Sequence, residues 1–139
     1  MAVKFKVVEL GNPSNQAAPK KFYPRVSSTG EISLRDLSRE LGLQSTVSPA
    51  DVLAVLESLL EELPRHLGQG EIVRLGDFGS FSLSITGEGQ ETADKVTSLK
   101  IDGCKIQFRP GKELKRQLDT VTFVKSDEAI VTVTETPQV

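Results

Sequence analysis

Tryptophan is absent from this sequence, and tyrosine, histidine and cysteine each occur once among its 139 residues. Because Cys104 stands alone, no internal disulfide forms, which is typical of a reducing compartment. No apolar run approaches the ~18 residues of a membrane span. The opening MAVKFKVVEL also lacks the continuous apolar block of a signal peptide. These absences predict a cytoplasmic protein without a membrane partner.

The residue types that build catalytic and metal sites are also scarce. His66 stands near the end of a predicted helix without a companion Cys or His cluster. Glu61 and Glu62 are typical of a solvated helix face, and the GEG segment at 87–89 lacks the strand–helix context of a nucleotide-binding loop. We therefore expect no enzyme activity, no metal site, no cofactor and no small-molecule substrate.

Over the whole chain positive charge does not exceed negative charge, but it is concentrated in one segment. The formal net charge is −2 and the isoelectric point is about 5.5, which on average argues against a nucleic-acid binder. Residues 100–116 nevertheless contain six basic side chains and two acidic ones, whereas residues 31–66 contain three basic and seven acidic side chains. Because phosphate contacts dominate non-specific affinity, the basic segment predicts a local binding patch.

The spacing of apolar residues predicts helices and antiparallel strands in separate blocks of the chain, which is the α+β class. Pro110 is expected at the first position of the last helix. A polar, Gly-rich arm over 86–103 is expected to separate two strands of a hairpin. The predicted strands include residues 3–7, 20–26, 78–85, 104–109, 120–125 and 128–134, and the predicted helices start after Ser33, at Ser48 and near Arg109.

The second predicted helix carries more apolar surface than one short neighbouring helix covers. Its leucines recur at helical spacing, and flanking valines widen the stripe. With only 37% apolar residues in the whole chain, a part of this stripe is expected to be buried by a partner chain. The stripe consists of Leu53, Leu56, Leu60, Leu63 and Leu67.

The segment IVRLGDFGSFSLSI, residues 72–85, alternates apolar side chains with serines. As a strand, it has an apolar face and a face of small hydroxyl groups. A face so flat lies either against solvent or against something large. The alternating pairs are Ser80–Phe81, Ser82–Leu83 and Ser84–Ile85.

Two motifs, in this order, resemble those of the HU and integration host factor family. DFGSF at 77–81 is similar to the family's G-F-G-x-F segment, and FRPGKELK at 108–115 is similar to its F-x-P/A-G-x-x-L-K segment. The resemblance covers about residues 31–118. It implies a single HU-like domain over 1–139, in which 1–26 and 119–134 are strand extensions of an HU-like core, as in extended variants of the family.

The resemblance also implies a function. Members form dimers that interlock through the phenylalanines and the long second helix, and duplex DNA lies on a saddle formed by the sheet. This chain would then be an architectural, nucleoid-associated protein that binds DNA as a homodimer and largely without sequence preference. The implied dimer core is Phe78, Phe81, Leu56 and Leu60, and the implied DNA-binding residues are Arg74, Lys105, Arg109, Gly111, Lys112 and Lys115.

Physical chemistry supports a phosphate site at the start of the last helix. A helix N-terminus leaves backbone N–H groups free, and Gly111 would allow a phosphate to approach closely. The arm favours another function, because residues 87–103 contain neither proline nor arginine and include Glu88, Glu91 and Asp94. An acidic arm fits a minor groove poorly. The alternative is therefore an HU-like dimeric protein-interaction module that has lost DNA binding.

Overall fold

The structure is a computed structural model that describes residues 2–133. The described chain divides into two compact units, one formed by residues 2–31 with 119–133 and the other by residues 32–118. In chain order the elements are β1 (Ala2–Leu10), β2 (Lys21–Val26), α1 (Leu34–Leu43), α2 (Pro49–Gly68), β3 (Val73–Arg74), β4 (Gly79–Gly87), β5 (Ile101–Pro110), α3 (Lys112–Leu118), β6 (Thr122–Lys125) and β7 (Val131–Val133). Separate helices and sheets confirm the α+β class.

The first unit, which we call the terminal sheet, consists of β1, β2, β6 and β7. The central strand is β1, with β2 antiparallel along one side. On its other side β6 and then β7 pair with it in parallel, β6 with residues 2–5 and β7 with residues 8–10. The two predicted strand extensions therefore form one sheet, although Thr134, at the end of the second, lies outside the described residues.

The second unit contains the three helices and a three-stranded antiparallel sheet of order β3-β4-β5, which we call the ribbon. It coincides with the predicted core of residues 31–118 to within one residue. Helix α2 contacts α1, β3 and β4. Whether the two units form one domain, as the sequence predicted, stays a prediction.

The helices begin where their capping residues predict. The Ser33 hydroxyl accepts a bond from the Asp36 backbone N–H at 3.2 Å, and the Asp36 carboxylate accepts one from the Ser33 backbone N–H at 3.2 Å. This reciprocal pair is a capping box. The bonds from Ser33 hold the pKa of Asp36 below its ordinary value. Ser48 caps α2 through the Asp51 N–H, and Pro49 occupies the first turn.

The last helix begins later than the sequence predicted. Pro110 is the final residue of β5, opposite Gly79, and α3 starts at Lys112. Pro110 therefore does not occupy the first helical position. The strand extends to this point because the ribbon pairing persists through Arg109 and Pro110.

Few apolar side chains are fully buried within the single chain. Among the described residues, Val8 and Leu67 are the buried apolar side chains, with 2% and 3% of their surface exposed. Large apolar residues on α2 and on the ribbon remain exposed. An isolated protein of this size normally covers more of its apolar surface. This pattern is typical of a chain that completes its core with a partner.

Candidate nucleic-acid interface

The register of the ribbon assigns its side chains to two faces. Directly opposed residues in antiparallel strands project to the same face, and successive residues alternate. Ser80 lies opposite Arg74 of β3 and Arg109 of β5. Further along, Ser82 lies opposite Gln107 and Ser84 lies opposite Lys105. These residues form one face, which we call the polar face: Arg74, Ser80, Ser82, Ser84, Lys105, Gln107 and Arg109.

The other face of the same strands is apolar. Phe81 lies between Val73 and Phe108, followed by the pairs Leu83–Ile106 and Ile85–Cys104. The ring centroids of Phe81 and Phe108 are 4.8 Å apart, and those of Phe78 and Phe108 are 5.7 Å apart. We call Val73, Phe81, Leu83, Ile85, Cys104, Ile106 and Phe108 the apolar face.

Hydroxyl groups lie along the middle strand of the polar face, and cations lie on the two strands beside it. The serines occupy β4, the middle strand, whereas Arg74 lies on β3 and both Lys105 and Arg109 lie on β5. Because a serine side chain is short, a wide ligand can approach the backbone closely while the longer cations reach its sides. This arrangement suits a polyanion with charge on two edges, such as a nucleic-acid duplex.

The positive charges of the candidate site are available to a ligand. Within residues 2–133, no acidic side chain forms an ion pair with any of the cations predicted to bind DNA, and all of these cations are exposed. Arg116, by contrast, is bound to Glu113 at 2.8 Å. The unpaired cations are Arg74, Lys105, Arg109, Lys112 and Lys115.

The two sequence motifs meet in one close-packed junction. The Gly111 backbone N–H donates to the Phe78 carbonyl at 2.8 Å, and a Cβ on Gly111 would lie 2.1 Å from the Asp77 carbonyl oxygen. A Cβ on Gly79 would lie 2.5 Å from the Arg109 carbonyl oxygen. Both glycines are needed because two backbones touch here. The junction fixes the end of β5 to the start of β4.

This junction gives Gly111 a packing role that the sequence did not indicate. Its N–H already has a partner in Phe78, and its Cα faces the backbone of the 3₁₀ turn Gly76–Phe78. A phosphate-binding role for Gly111 stays a prediction. Lys112 and Lys115 lie on α3, whereas the other predicted cations lie on the ribbon. The first hydrogen bond of α3 runs from the Lys115 N–H to the Gly111 carbonyl.

The arm between β4 and β5 has an irregular, acidic tip. Two 3₁₀ turns, Ala93–Lys95 and Ser98–Lys100, lead back into β5, and the register shifts at Thr86/Gly87. Lys95 lies 3.5 Å from Glu91 and neutralises one of the arm's acids. Val96 and Leu99 are exposed by 61% and 92%. The tip thus presents acidic and apolar side chains.

The predicted dimer core is incompletely covered in the single chain. Phe78 is 50% exposed and Leu60 is 52% exposed, whereas Leu56 and Phe81 are partly covered. Val55, on the same helix as Leu60, is 67% exposed. Side chains of this size are rarely left in water together. Their role as a dimer core stays a prediction, which this exposure supports.

Sequence reasoning missed Gln107, which lies on the polar face opposite Ser82. The alternation of serines in β4 was visible in the sequence, but the register of β5 against β4 was not. A side-chain amide both donates and accepts hydrogen bonds, so Gln107 places a neutral donor and acceptor between the two cations of β5.

Metal-binding clusters and membrane-spanning helices are both missing from the described part of the chain. Between residues 2 and 133, no group of three His, Cys, Asp or Glu side chains is arranged to hold a metal ion. The helices in that range are too short or too polar to cross a bilayer.

Comparison with known proteins gives a family and a set of relatives. The family model HU-HIG, described as an HU domain fused to wHTH, Ig or a glycine-rich motif, matches residues 1–125. The integration host factor subunit beta of Idiomarina loihiensis is 34% identical over 92 residues, which is 63% of this chain and 96% of that protein. The same subunit of Shewanella woodyi is 34% identical over 83 residues, or 56% of this chain and 84% of that one.

A solved structure has a similar fold. It is a putative bacterial DNA-binding protein from Bacteroides vulgatus, with a TM-score of 0.58 and 14% sequence identity. The match covers 88% of this chain, and this chain spans 47% of that one. At this identity the likeness concerns the fold alone.

Proposed function

Since this chain belongs to the HU-HIG family, and so confirms the resemblance to HU proteins, we propose that it is an architectural DNA-binding protein of the bacterial nucleoid. In this proposal it binds duplex DNA as a homodimer, mainly through backbone phosphates and largely without sequence preference. Its chemistry is binding alone, with no catalysed reaction, cofactor or small-molecule substrate.

The observation that carries the proposal is the polar face of the ribbon. Three cations, Arg74, Lys105 and Arg109, flank a central row of serines on one side of a sheet whose other side is apolar. A sheet face that only contacts water can carry cations and carboxylates side by side. The polar face instead carries positive charge without an acidic partner among the described residues, which fits a phosphate backbone.

The proposed homodimer follows from the apolar surface that the single chain leaves open. Exposed Val55 and Leu60 on α2, with Phe78 beside the ribbon, would be covered by a second copy. Burying such side chains stabilises an assembly by roughly 25 cal/mol per Å² of apolar surface. A dimer also doubles the number of phosphate contacts that one particle makes, which suits a protein of small net charge.

The proposed lack of sequence preference follows from the side chains of the polar face. Serine hydroxyls are compatible with any neighbouring oxygen, and cations on strand edges reach phosphates rather than base edges. Gln107 is the side chain of this face best suited to a base contact. One amide supplies about 1–3 kcal/mol of discrimination at most, far below that of a sequence-specific protein.

The test is fluorescence anisotropy with labelled random duplexes at several salt concentrations. We expect binding that weakens steeply with salt, and scrambled duplexes of the same length should bind within a few-fold of one another. An affinity independent of salt would contradict the phosphate mechanism. A single sequence bound ~1,000-fold better than random DNA would contradict the lack of preference.

The acidic arm favours a second candidate function, a dimeric protein-interaction module that has lost DNA binding. Glu88 and the exposed Leu99 give the arm tip a surface suited to a protein partner rather than to a minor groove. A gel shift on random duplex DNA at low and at physiological salt separates the two functions. Failure to shift at low salt would favour the interaction module.

A further inference from the structure

We infer that one face of the terminal sheet is a second contact surface for the phosphates of the bound nucleic acid. The register places Lys6 opposite Arg25, Val8 opposite Tyr23 and Leu10 opposite Lys21. Lys4 precedes Lys6 by two residues and therefore projects to the same side. We call Lys4, Lys6, Lys21, Tyr23 and Arg25 the basic face. The inference rests on the proposed function for the identity of the ligand, but it concerns residues outside the ribbon.

The cross-strand pair Lys6–Arg25 is unfavourable in the free protein. Like charges directly opposite in antiparallel strands destabilise a sheet, whereas opposite charges stabilise it. Glu128, 3.6 Å from the Lys6 ammonium, offsets part of this repulsion, whereas Arg25 has no ion-pair partner within the described residues 2–133. A phosphate that lies across both cations would remove the repulsion, and this relief would add to the affinity for the phosphate.

The carboxylate beside this face does not neutralise it. Glu128 lies 3.6 Å from the Lys6 ammonium and accepts a bond from the Ser27 hydroxyl at 2.5 Å. Lys4, Lys21 and Arg25 are exposed, and none of the three forms an ion pair with a residue in the described range 2–133. The basic face therefore keeps most of its charge available for a ligand.

Most of the cations of the terminal sheet share one side. Lys4, Lys6, Lys21 and Arg25 project to the side that also holds Leu10 and the buried Val8. The other side carries the apolar pairs Phe5–Val26, Val7–Pro24 and Val3–Phe123, together with Glu9. Lys125, opposite Phe5, lies on the other side and is exposed. Its replacement therefore controls for the loss of a positive charge outside the basic face.

The arrangement suits an extended polyanion better than a single ion. Alternate residues of a strand lie ~6.6–6.8 Å apart, so Lys4 and Lys6 form a row rather than a cage. Phosphates along one DNA strand recur every ~3.4 Å of helix axis, and a row of cations meets such a ligand repeatedly. Tyr23, 45% exposed, follows the row and offers a hydroxyl donor to phosphate oxygen.

The experiment compares two double variants of the full chain on a labelled random duplex of about 40 base pairs, across a salt series. Lys4→Gln with Arg25→Gln neutralises the basic face. Lys125→Gln with Arg35→Gln removes the same charge elsewhere. We expect the first double variant to lower the slope of log affinity against log salt by about 0.9 for each phosphate that it no longer neutralises, and the second to leave the slope unchanged.

A third double variant, Lys105→Gln with Arg109→Gln, separates this inference from the proposed function. If this variant lowers the slope and the Lys4, Arg25 variant matches the control, the inference is overturned and the ribbon proposal stands. If only the Lys4, Arg25 variant lowers it, the inference stands and the ribbon proposal fails. No binding by the unmodified chain at low salt would overturn both.

Circular dichroism establishes that each variant is folded. Should the Lys4, Arg25 variant lose its native spectrum, Lys21→Gln carries the same test alone, with an expected decrease in slope of about 1.8 for the dimer, or 0.9 per protomer. An unchanged slope in folded Lys21→Gln overturns the inference as well.

Discussion

The two faces of the ribbon are made from alternate residues of the same strands, yet they expose different chemistry. Ser82 and Leu83 are neighbours in β4, and one joins a row of hydroxyls and cations while the other joins a row of aliphatic and aromatic groups. Strand periodicity therefore lets one short segment serve two partners. In our account the polar face binds DNA and the apolar face supports the dimer.

The largest expected effect comes from truncating an aromatic side chain of the apolar face. Phe81→Ala removes the ring whose centroid lies 4.8 Å from that of Phe108. If the dimer buries this ring, the free energy of unfolding should fall by about 3–5 kcal/mol. Urea unfolding and light scattering should show lower stability and less dimer together. A stable dimer after this change would mean that the apolar face is not part of the core.

A matched pair of neighbours sharpens the comparison. Leu83→Asp places a charge on the apolar face and should convert dimer into monomer or unfolded chain in light scattering. Ser82→Asp places the same charge on the polar face, where it should leave the dimer intact and weaken DNA binding by repelling phosphates. Equal effects of the two changes on assembly would show that the faces do not differ in role.

The GDFG and RPGK segments show how much of this molecule the sequence could predict. Capping residues, strand alternation and the two motifs were sufficient for the α+β class and the family. The contact between Gly111 and the Asp77 carbonyl was not predictable, because it joins backbones 34 positions apart in the sequence and depends on register. For the same reason Pro110 was assigned to a helix, although ribbon pairing extends through it.

The candidate site was predicted unevenly. The cations Arg74, Lys105 and Arg109 were chosen from family resemblance and charge, and their common face emerged only from the pairing of β3, β4 and β5. Their role in binding stays a prediction. Gln107 was missed because a single amide in a strand has no sequence signal of its own.

Moderate effects are expected from the arm. Replacing Glu88 and Glu91 by lysine changes the charge of the arm by +4 and should tighten DNA binding, because the arm then attracts phosphates. Anisotropy at physiological salt measures the change. The control is Glu57 with Glu61 on α2, replaced in the same way. Weaker binding by the arm variant would mean that the acidic arm itself contacts the ligand or a partner.

The smallest expected effect concerns acid stability of the terminal sheet. The Ser27 hydroxyl, followed by the nearby Lys6 and Lys4 ammonium groups, holds the pKa of Glu128 below its ordinary value of 4.5. A carboxyl with a depressed pKa in the folded state stabilises above the unfolded pKa, and this contribution is lost as pH falls through the folded pKa. Glu128→Gln should therefore lower the melting temperature slightly at pH 7. The variant and the unmodified chain should converge as pH falls through the lowered pKa of Glu128, and a constant difference at all pH values would contradict this origin.

The most direct test of the central claim is the salt dependence of DNA binding after neutralising the polar face. Lys105→Ala with Arg109→Ala should leave the dimer intact in light scattering. It should lower the slope of log affinity against log salt by about 3.6 for the dimer, or 0.9 for each of two phosphate contacts per protomer. An intact dimer with an unaltered slope and affinity would contradict the claim that DNA lies on this face.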